Sequence, residues 1–222
     1  MQRSYSLIIR IYTGLIRLAA LFNPKAGKWV QGRKGLRKQI SSIRRPKGKL
    51  VWFHCASLGE FEQGRPVIEQ LKQQWPDSSI LLTFFSPSGY EVRKHYDHAD
   101  YVFYLPADTR SNARFFVRHF LPDAAVFVKY EFWKNYIEML HLEGIPLFSI
   151  AAVFRKNQIF FKPWGKAYRN LLHRFTNIIT QNQESVALLK KHGILHCSVS
   201  GDTRFDRVQE IAARVKAIPE IE

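Results

Sequence analysis

The segment Ser57-Leu58-Gly59-Glu60 holds the residues best suited to acid–base chemistry. A carboxylate such as that of Glu60 acts as a general base when a hydroxyl group comes within hydrogen-bond distance. Gly59 and its neighbour Ser57 are predicted to contact the substrate, since a glycine lets the backbone approach a ligand closely. The alternative is that Glu60 only stabilises the first turn of a helix, where a negative charge is favourable.

Three further positions carry groups that suit a polar ligand. Ser88 and Gly89, in Ser86-Pro87-Ser88-Gly89, offer a hydroxyl group and backbone amides, although the same residues also suit an ordinary turn that caps a helix. Glu131 lies among aromatic residues, where it either takes part in function or pairs with a nearby Lys or Arg. Arg155 is suited to clamp an anionic group, and a solvated surface arginine is the alternative.

Common nucleotide and metal motifs are absent from the sequence. It contains neither the Gly-rich phosphate loop that ends in Gly-Lys-Ser/Thr nor the Gly-x-Gly-x-x-Gly dinucleotide fingerprint. There is no Asp-x-Asp pair, and neither the histidines nor Cys55 and Cys197 show the spacing of metal ligands. The histidines are predicted to be surface residues or hydrogen-bonded core residues. We therefore predict no metal ion and no cofactor.

Strands and helices alternate in the apolar pattern from residue 50 onward. Short apolar runs are predicted as strands at 50–54, 79–85, 101–104, 124–128, 146–150, 177–180 and 197–200. Helical periodicity falls between them, at 66–74, 88–95, 111–120, 133–142, 164–175 and 184–192. This alternation of apolar strands with helices indicates an α/β fold with an open, doubly wound, mostly parallel sheet. The candidate residues follow strands, and such sheets bind ligands beyond the carboxyl ends of their strands.

Positive charge is concentrated near the amino terminus. The chain of 222 residues carries a formal net charge of +16, and residues 1–50 hold 13 Lys or Arg with no Asp or Glu. A solvated arm, a nucleic-acid-binding arm or contact with an anionic surface would each account for such a segment. Because an apolar helical pattern precedes the basic stretch, an anionic membrane surface is favoured.

Residues 1–22 are predicted to form an amphipathic helix that attaches to a membrane. Arg3, Arg10 and Arg17 recur every seven residues, which places them on one narrow stripe of a helix whose other faces are apolar. Charges within the stretch favour a helix that lies in the membrane interface over one that spans the bilayer, and a core helix of the domain is the alternative. Residues 23–49 are predicted to be a basic connector along the membrane surface, with Trp29 at headgroup depth.

The order of the motifs resembles that of the Kdo transferases, the 3-deoxy-manno-octulosonate transferases of lipopolysaccharide assembly. Family motifs have counterparts at His54-Cys55-Ala56-Ser57-Leu58-Gly59-Glu60, Ser86-Pro87-Ser88-Gly89, Leu105-Pro106-Ala107-Asp108, Lys129-Tyr130-Glu131-Phe132-Trp133-Lys134-Asn135, Arg155, Thr180-Gln181-Asn182 and Gly201-Asp202-Thr203-Arg204-Phe205-Asp206. The family's amino-terminal apolar helix and its basic Gly-Arg connector also have counterparts, the latter at Gly32-Arg33.

Two motifs depart from the family pattern. Lys129 stands where the family has the first glutamate of Glu-Thr-Glu, so any role of that residue is lost or moved. Of the family's Asn-Ala-Arg only the arginine is matched, at Arg155.

The resemblance implies a fold, a reaction and partners. The fold is expected to be the Rossmann-like amino-terminal domain of a GT-B glycosyltransferase at residues 50–206, and residues 207–222 are expected to begin a linker. Transfer of Kdo from CMP-Kdo to the lipid A precursor is expected at the cytoplasmic face of the bacterial inner membrane, with inversion and without a metal ion. Family members have a second domain that binds most of the donor, so we expect this chain to be a fragment that transfers sugar poorly alone.

The resemblance also assigns roles to individual residues. Glu60 would be the general base, and Glu131 would either position the acceptor or shape the environment of the base. Arg155 and Arg204 would meet anionic groups of either substrate. Two other classes of function stay open. One is another GT-B transferase or an epimerase acting on a nucleotide sugar; the other is a non-enzymatic module whose basic arm binds a membrane surface or nucleic acid. Of these partners we expect the membrane surface and not nucleic acid.

Overall fold

A computed structural model of the chain describes residues 2–201, with side chains described from Tyr5 onward. The strands in this range are β1 Leu50–Cys55, β2 Ser79–Phe84, β3 Tyr101–Tyr104, β4 Ala124–Val128, β5 Leu147–Ala152, β6 Asn177–Thr180 and β7 Cys197–Val199. They form one sheet in the order β3-β2-β1-β4-β5-β6-β7, and every neighbouring pair is parallel. The predicted α/β fold with a doubly wound parallel sheet is confirmed.

Helices precede the sheet and connect its strands. In the described range they are α1 Gln2–Ala19, α2 Pro24–Gln31, α3 Leu36–Ser41, α4 Leu58–Gln74, α5 Pro87–Arg93, α6 Arg110–Phe120, α7 Lys134–Leu142, α8 Lys166–Leu172 and α9 Gln183–Lys191. Helix α4 begins earlier than the sequence predicted, so Pro66 lies inside it. Phe61 and Ile68 are fully buried on either side of the proline, and their packing outweighs the backbone hydrogen bond that proline removes.

The two faces of the sheet bury separate apolar layers. Trp52 of β1 points into a layer formed with α6 and α7, whereas Phe53 points into the opposite layer, formed with α4. This alternation follows from the pleat of the strand. Both side chains are fully buried, so β1 supports the core on both sides.

The segment predicted as a basic connector packs onto the domain. It contains α2 and α3, which bury Trp29, Leu36 and Ile40. The predicted position of Trp29 at headgroup depth is wrong. Its ring is covered by the guanidinium of Arg33, which lies 3.9 Å from the ring centroid, and a stacked arginine removes an indole from solvent.

Arg33 joins this segment to the edge of the sheet. Its Nη2 donates hydrogen bonds to the backbone oxygens of Phe85, at 2.9 Å, and Leu105, at 3.0 Å. These two residues directly follow β2 and β3. The arginine therefore ties the amino-terminal helices to the carboxyl edge, where a parallel sheet binds its ligands.

Helix α1 packs one face on the domain and exposes an apolar face. Its half-buried residues include Tyr5, Ile9, Thr13 and Ile16. The opposite face and the residues after it are between 56% and 89% exposed, at Leu7, Ile8, Ile11, Leu15, Leu18, Leu21 and Phe22. None of the helices within residues 2–201 combines the length and apolarity that crossing a bilayer requires.

A methyl group added at Gly32 tests the packing of α2 on the sheet. A Cβ atom there would lie 2.1 Å from Cε2 of Tyr104, which is 1% exposed. We expect Gly32→Ala to lower the free energy of unfolding by about 1–3 kcal/mol through overpacking, measured by urea unfolding. Gly27→Ala in the same helix is the control, because its nearest neighbour would be 3.8 Å away; equal stability of the two variants would contradict the packing described.

Candidate active site

Two glutamates flank the point where the strand order of the sheet reverses. From β1 the chain continues to β2 on one side, whereas β4 pairs with β1 on the other. The loops that leave β1 and β4 therefore diverge and form a crevice at the carboxyl edge, the usual ligand site of such sheets. Glu60 follows β1 and Glu131 follows β4, so both residues lie at this crevice.

Glu60 lies in the first turn of α4, where Ser57 is the N-cap residue. The Ser57 hydroxyl donates a hydrogen bond to Oε2 of Glu60. Within residues 2–201, Glu60 forms no ion pair and its Oε1 accepts no hydrogen bond. A Cβ at the exposed Gly59 would meet only the Ser57 hydroxyl oxygen, at 3.8 Å. The carboxylate is thus oriented by one partner and keeps an oxygen for a proton from substrate.

Glu131 is held by two aromatic side chains. Its side chain is 11% exposed, and its Oε2 lies 3.3 Å from Nε2 of His54. The indole Nε1 of Trp133 donates to the same oxygen at 2.5 Å. These contacts fix the orientation of Glu131 more strictly than a single exposed ion pair would.

His54 is oriented in turn by Thr83 of β2. Its Nδ1 lies 2.9 Å from the hydroxyl oxygen and 3.2 Å from the carbonyl oxygen of Thr83. Because a carbonyl oxygen only accepts, Nδ1 carries a proton. In the neutral ring Nε2 then accepts the Trp133 indole N–H, at 2.9 Å, so that N–H is shared between His54 and Glu131.

The buried thiol of Cys55 lies close to both glutamates. Burial raises its pKa well above the ordinary value, and the charges of Glu60 and Glu131 raise it further. Both carboxylates therefore lie near the end of β1. The raised pKa keeps the thiol protonated and unsuited to act as a nucleophile. Within residues 2–201, no three His, Cys, Asp or Glu side chains come together in a way that would hold a metal ion.

The turn at Ser86–Gly89 lies beside the loop that carries Glu60. The backbone N–H of Ser86 donates to the oxygen of Ala56 at 2.7 Å, and the Ser86 hydroxyl caps α5. Ser88 is exposed, with its hydroxyl 3.0 Å from that of Ser86. Gly89 is buried, and a Cβ there would lie 2.2 Å from the ring of Phe84. Close packing thus requires the glycine, and substrate binding by Ser88 and Gly89 stays a prediction.

The structure describes one of the two arginines that are predicted to bind anions. Arg155 is exposed in the loop after β5, where its backbone N–H donates to Gln158. Because β4 separates β5 from β1, the end of β5 lies about 10 Å along the edge from the end of β1, and Arg155 follows β5 by three residues. Arg204 lies outside the described residues.

Asp108 is a buried residue to which sequence reasoning assigned no role. Its carboxylate accepts hydrogen bonds from the Tyr5 hydroxyl, at 2.8 Å, and from the backbone N–H groups of Asn135 and Tyr136, both at 3.2 Å. It therefore caps α7 and fastens α1 beside the loop of Glu131. Burial raises its pKa from 3.8 to about 6, although these hydrogen bonds oppose the shift.

Two residues of the site, His54 and Asp108, have no role predicted from the sequence, although each belongs to a motif. His54 opens the motif that ends in Glu60, but the sequence alone predicts for it, as for the other histidines, only a surface or hydrogen-bonded core position. It is a hydrogen-bonded core histidine, and its contact with Glu131 depends on pairing between β1 and β4. Asp108 ends the motif Leu105-Pro106-Ala107-Asp108, and its partners are distant in sequence.

Comparison with known families and proteins identifies close sequence matches. Residues 30–207 match the family described as 3-deoxy-D-manno-octulosonic-acid transferase (kdotransferase). The chain is 30% identical to the 3-deoxy-D-manno-octulosonic acid transferase of Aquifex aeolicus over 74% of this chain and 42% of that protein. The Haemophilus influenzae transferase of the same name is 33% identical over 46% of this chain and 23% of its own length. The chain thus matches less than half the length of these relatives.

Solved structures share the fold. UDP-N-acetylglucosamine 2-epimerase from Methanocaldococcus jannaschii aligns with a TM-score of 0.53 and 16% identity, over 76% of this chain and 50% of that one. The Rickettsia bellii epimerase aligns with a TM-score of 0.52 and 16% identity, over 76% and 49%. At this identity the likeness shows the architecture alone, over about half of each of those chains.

Removal of the Tyr5 hydroxyl is expected to raise the pKa of Asp108 above its value of about 6, because the hydrogen bond from Tyr5 stabilises the carboxylate. Folded Asp108 binds its proton more tightly than the unfolded chain does. Its contribution to stability is therefore full below pH 3.8 and is lost as the pH rises through about 6. Carboxyl-carbon NMR titration of Tyr5→Phe tests the shift.

Tyr12→Phe is the control for this variant, because Tyr12 lies two turns along the same face of the helix, is 46% exposed and is not among the hydrogen-bond partners of Asp108. It should leave the titration of Asp108 unchanged. An unchanged pKa in Tyr5→Phe would show that Tyr5 does not stabilise the carboxylate.

Proposed function

This chain belongs to the 3-deoxy-D-manno-octulosonic acid (Kdo) transferase family, and we propose that it forms the acceptor-side half of an enzyme that transfers Kdo from CMP-Kdo to the lipid A precursor. The resemblance drawn from the order of motifs is confirmed at the level of the family. The observation that best supports a catalytic role is the position of Glu60 and Glu131 on either side of the crevice where the sheet order reverses.

In the proposed reaction Glu60 is the general base. It takes the proton of an acceptor sugar hydroxyl while the oxygen bonds to the anomeric carbon of Kdo. The bond from that carbon to the phosphate oxygen breaks, and CMP leaves with its electron pair. Attack opposite the leaving group inverts the anomeric carbon, and no metal ion is used. The proposal rests on Oε1 of Glu60, which accepts no hydrogen bond from the described part of the chain, and on the hydroxyl of Ser57, which orients the other oxygen.

Glu131 is assigned the role of positioning the acceptor. A carboxylate fixed by Trp133, whose indole N–H is shared with His54, can hold a sugar hydroxyl in one orientation, and such positioning supplies much of the advantage of an enzyme site. Arg155 and Arg204 are assigned to anionic groups of the substrates. The donor is assigned mainly to a second domain, of the kind that the family resemblance implies.

Helix α1 is proposed to hold the crevice against the cytoplasmic face of the inner membrane, where the acceptor lipid resides. Tyr5 is joined through Asp108 to the first turn of α7, directly after the loop of Glu131. A cavity of about 310 Å³ between α1, α2 and the Ser86 turn includes Tyr12 and Trp29 in its lining. Helix α1 is therefore fixed beside the loops that follow β2 and β4, and confinement to the membrane raises the effective concentration of the acceptor.

The competing classes of function have less support. The epimerases share the fold at 16% identity, whereas the transferase family matches in sequence across the domain. A nucleic-acid arm would need the basic segment free of the domain, but Trp29, Leu36 and Ile40 bury it against the sheet.

Glu60→Gln tests the general base in the full-length native enzyme. We expect the rate of transfer from CMP-Kdo to fall by a factor of about 10²–10⁴, because an amide cannot accept the proton. Glu184→Gln is the matched control, since Glu184 lies in the first turn of α9, after β6, at the same edge of the sheet. A rate retained in Glu60→Gln, or an equal loss in both variants, would remove Glu60 from the role.

The double variant Leu15→Ser and Leu18→Ser tests membrane docking by α1. Both leucines are exposed, at 59% and 63%, and burial of a leucine contributes about 1.5–3 kcal/mol. We expect co-sedimentation with phosphatidylglycerol-containing vesicles to weaken by at least about tenfold. Serines at Leu142 and Leu195, which are 74% and 72% exposed elsewhere, should have little effect; unchanged binding of the α1 variant would argue against docking through this face.

A further inference from the structure

A cleft of about 750 Å³ lies beside α1, between that helix, the segment from α2 to α3, and α6. Its lining includes four arginines and one lysine, at Arg10, Arg17, Arg33, Lys34 and Arg37. A second cavity, of about 770 Å³, shares Arg10 and Arg37 with the first and adds Arg110, Arg114 and Arg118 from α6. The two cavities form one continuous groove.

The groove carries a large excess of positive charge. No aspartate or glutamate of residues 2–201 lines either cavity. Arg118 pairs with Glu143, whereas Arg37 and Arg114 form no ion pair within residues 2–201. Arg37 instead lies over the ring of Phe115, 4.3 Å from its centroid. Like charges held this close repel one another, so an anion that enters the groove gains their combined attraction.

Arg33 forms the inner end of the groove and is mostly buried. Its guanidinium donates only to backbone oxygens, including those of Trp29 and Leu105. Burial lowers its pKa from 12.5 to about 9, because no carboxylate offsets the desolvation of the charge. Arg33 is thus a buried cation at the inner end of the groove, and an anion bound there would stabilise its charge.

The groove opens beside the exposed apolar face of α1. Arg10 and Arg17 lie on one side of that face, which places Leu7 and Leu18 next to the mouth of the groove. Phe115 and Leu36 add apolar walls. A ligand that fits both surfaces carries an anionic head and acyl chains.

From this arrangement we infer that the groove binds the phosphodiester headgroup of an anionic membrane phospholipid whose acyl chains lie along α1. Arginine suits this role because its planar guanidinium binds two phosphate oxygens at once. Neither Glu60 nor Glu131 lines the groove, so the lipid is a docking ligand and not the acceptor at the reacting centre. The inference deepens the proposed membrane attachment and depends on it.

Short-chain dihexanoyl phosphatidylglycerol, kept below its micelle concentration, is the probe. Calorimetric titration of the 222-residue chain should show saturable binding of one molecule. Arg37→Lys and Arg114→Lys each keep the charge but lose paired hydrogen bonds, so we expect about tenfold weaker binding, equivalent to about 1.4 kcal/mol. Arg44→Lys is the control, because Arg44 is an exposed arginine of the same basic segment that lines neither cavity.

The remaining outcomes separate the groove from its alternatives. Inorganic phosphate that binds as tightly as the lipid, or short single-stranded RNA that binds more tightly, would overturn the assignment. So would the absence of saturable binding, or equal binding by the wild type and both lysine variants. The Leu15→Ser and Leu18→Ser variant distinguishes the two proposals: loss of vesicle binding with one-to-one binding of the probe retained, weakened only by the lost contact of its short acyl chains with Leu18, supports both. Vesicle binding that persists in this variant overturns docking through α1. Saturable binding of the probe then tests the groove separately.

Discussion

The parallel pairing of β1 with both β2 and β4 is the constraint on which the site depends. β1 is the only strand in the described sheet from which the chain order runs outward in both directions. The loops that leave β1 and β4 must diverge, so that no crossover helix fills the crevice between them. Backbone hydrogen bonds between β1 and β4 fix the positions of Glu60 and Glu131 relative to each other, although neither side chain takes part in them. Thr83 of β2 orients His54 of β1, and His54 shares the Trp133 N–H that binds Glu131.

The amino-terminal segment depends on that edge in turn. Arg33 binds the backbone oxygens that follow β2 and β3, and Asp108 binds α1 and α7 together. Both residues are buried charged groups whose pKa values are moved toward neutrality. Such groups are stable only where hydrogen bonds replace hydration. The amino-terminal helices and the loops at the carboxyl edge of the sheet are thus joined by directional contacts, not by apolar packing alone.

Much of the architecture could be predicted because each strand is a short apolar run between helical periods. The position of Glu60 after β1 follows from that pattern. Its approach to Glu131 could not, since it depends on β4 pairing beside β1, a contact between residues about seventy apart. The same limit hid the roles of His54 and Asp108. The start of α4 was missed because Pro66 marks a helix beginning in local sequence, whereas burial of Phe61 and Ile68 outweighs that preference.

The distribution of charge shows that counting charged residues along the sequence does not reveal the charge of a folded surface. Residues 1–50 hold 13 of the 16 excess positive charges, which suggests a basic arm attached to a nearly neutral domain. The folded chain places three arginines of α6 against that arm, spaced so that they share one exposed face. The acidic residues in the described part of the chain lie outside the groove, and of these Glu143 pairs with Arg118. A domain of modest net charge can therefore present a strongly cationic groove, because attraction of an anion depends on the charges within a Debye length of it and not on the sum over the chain.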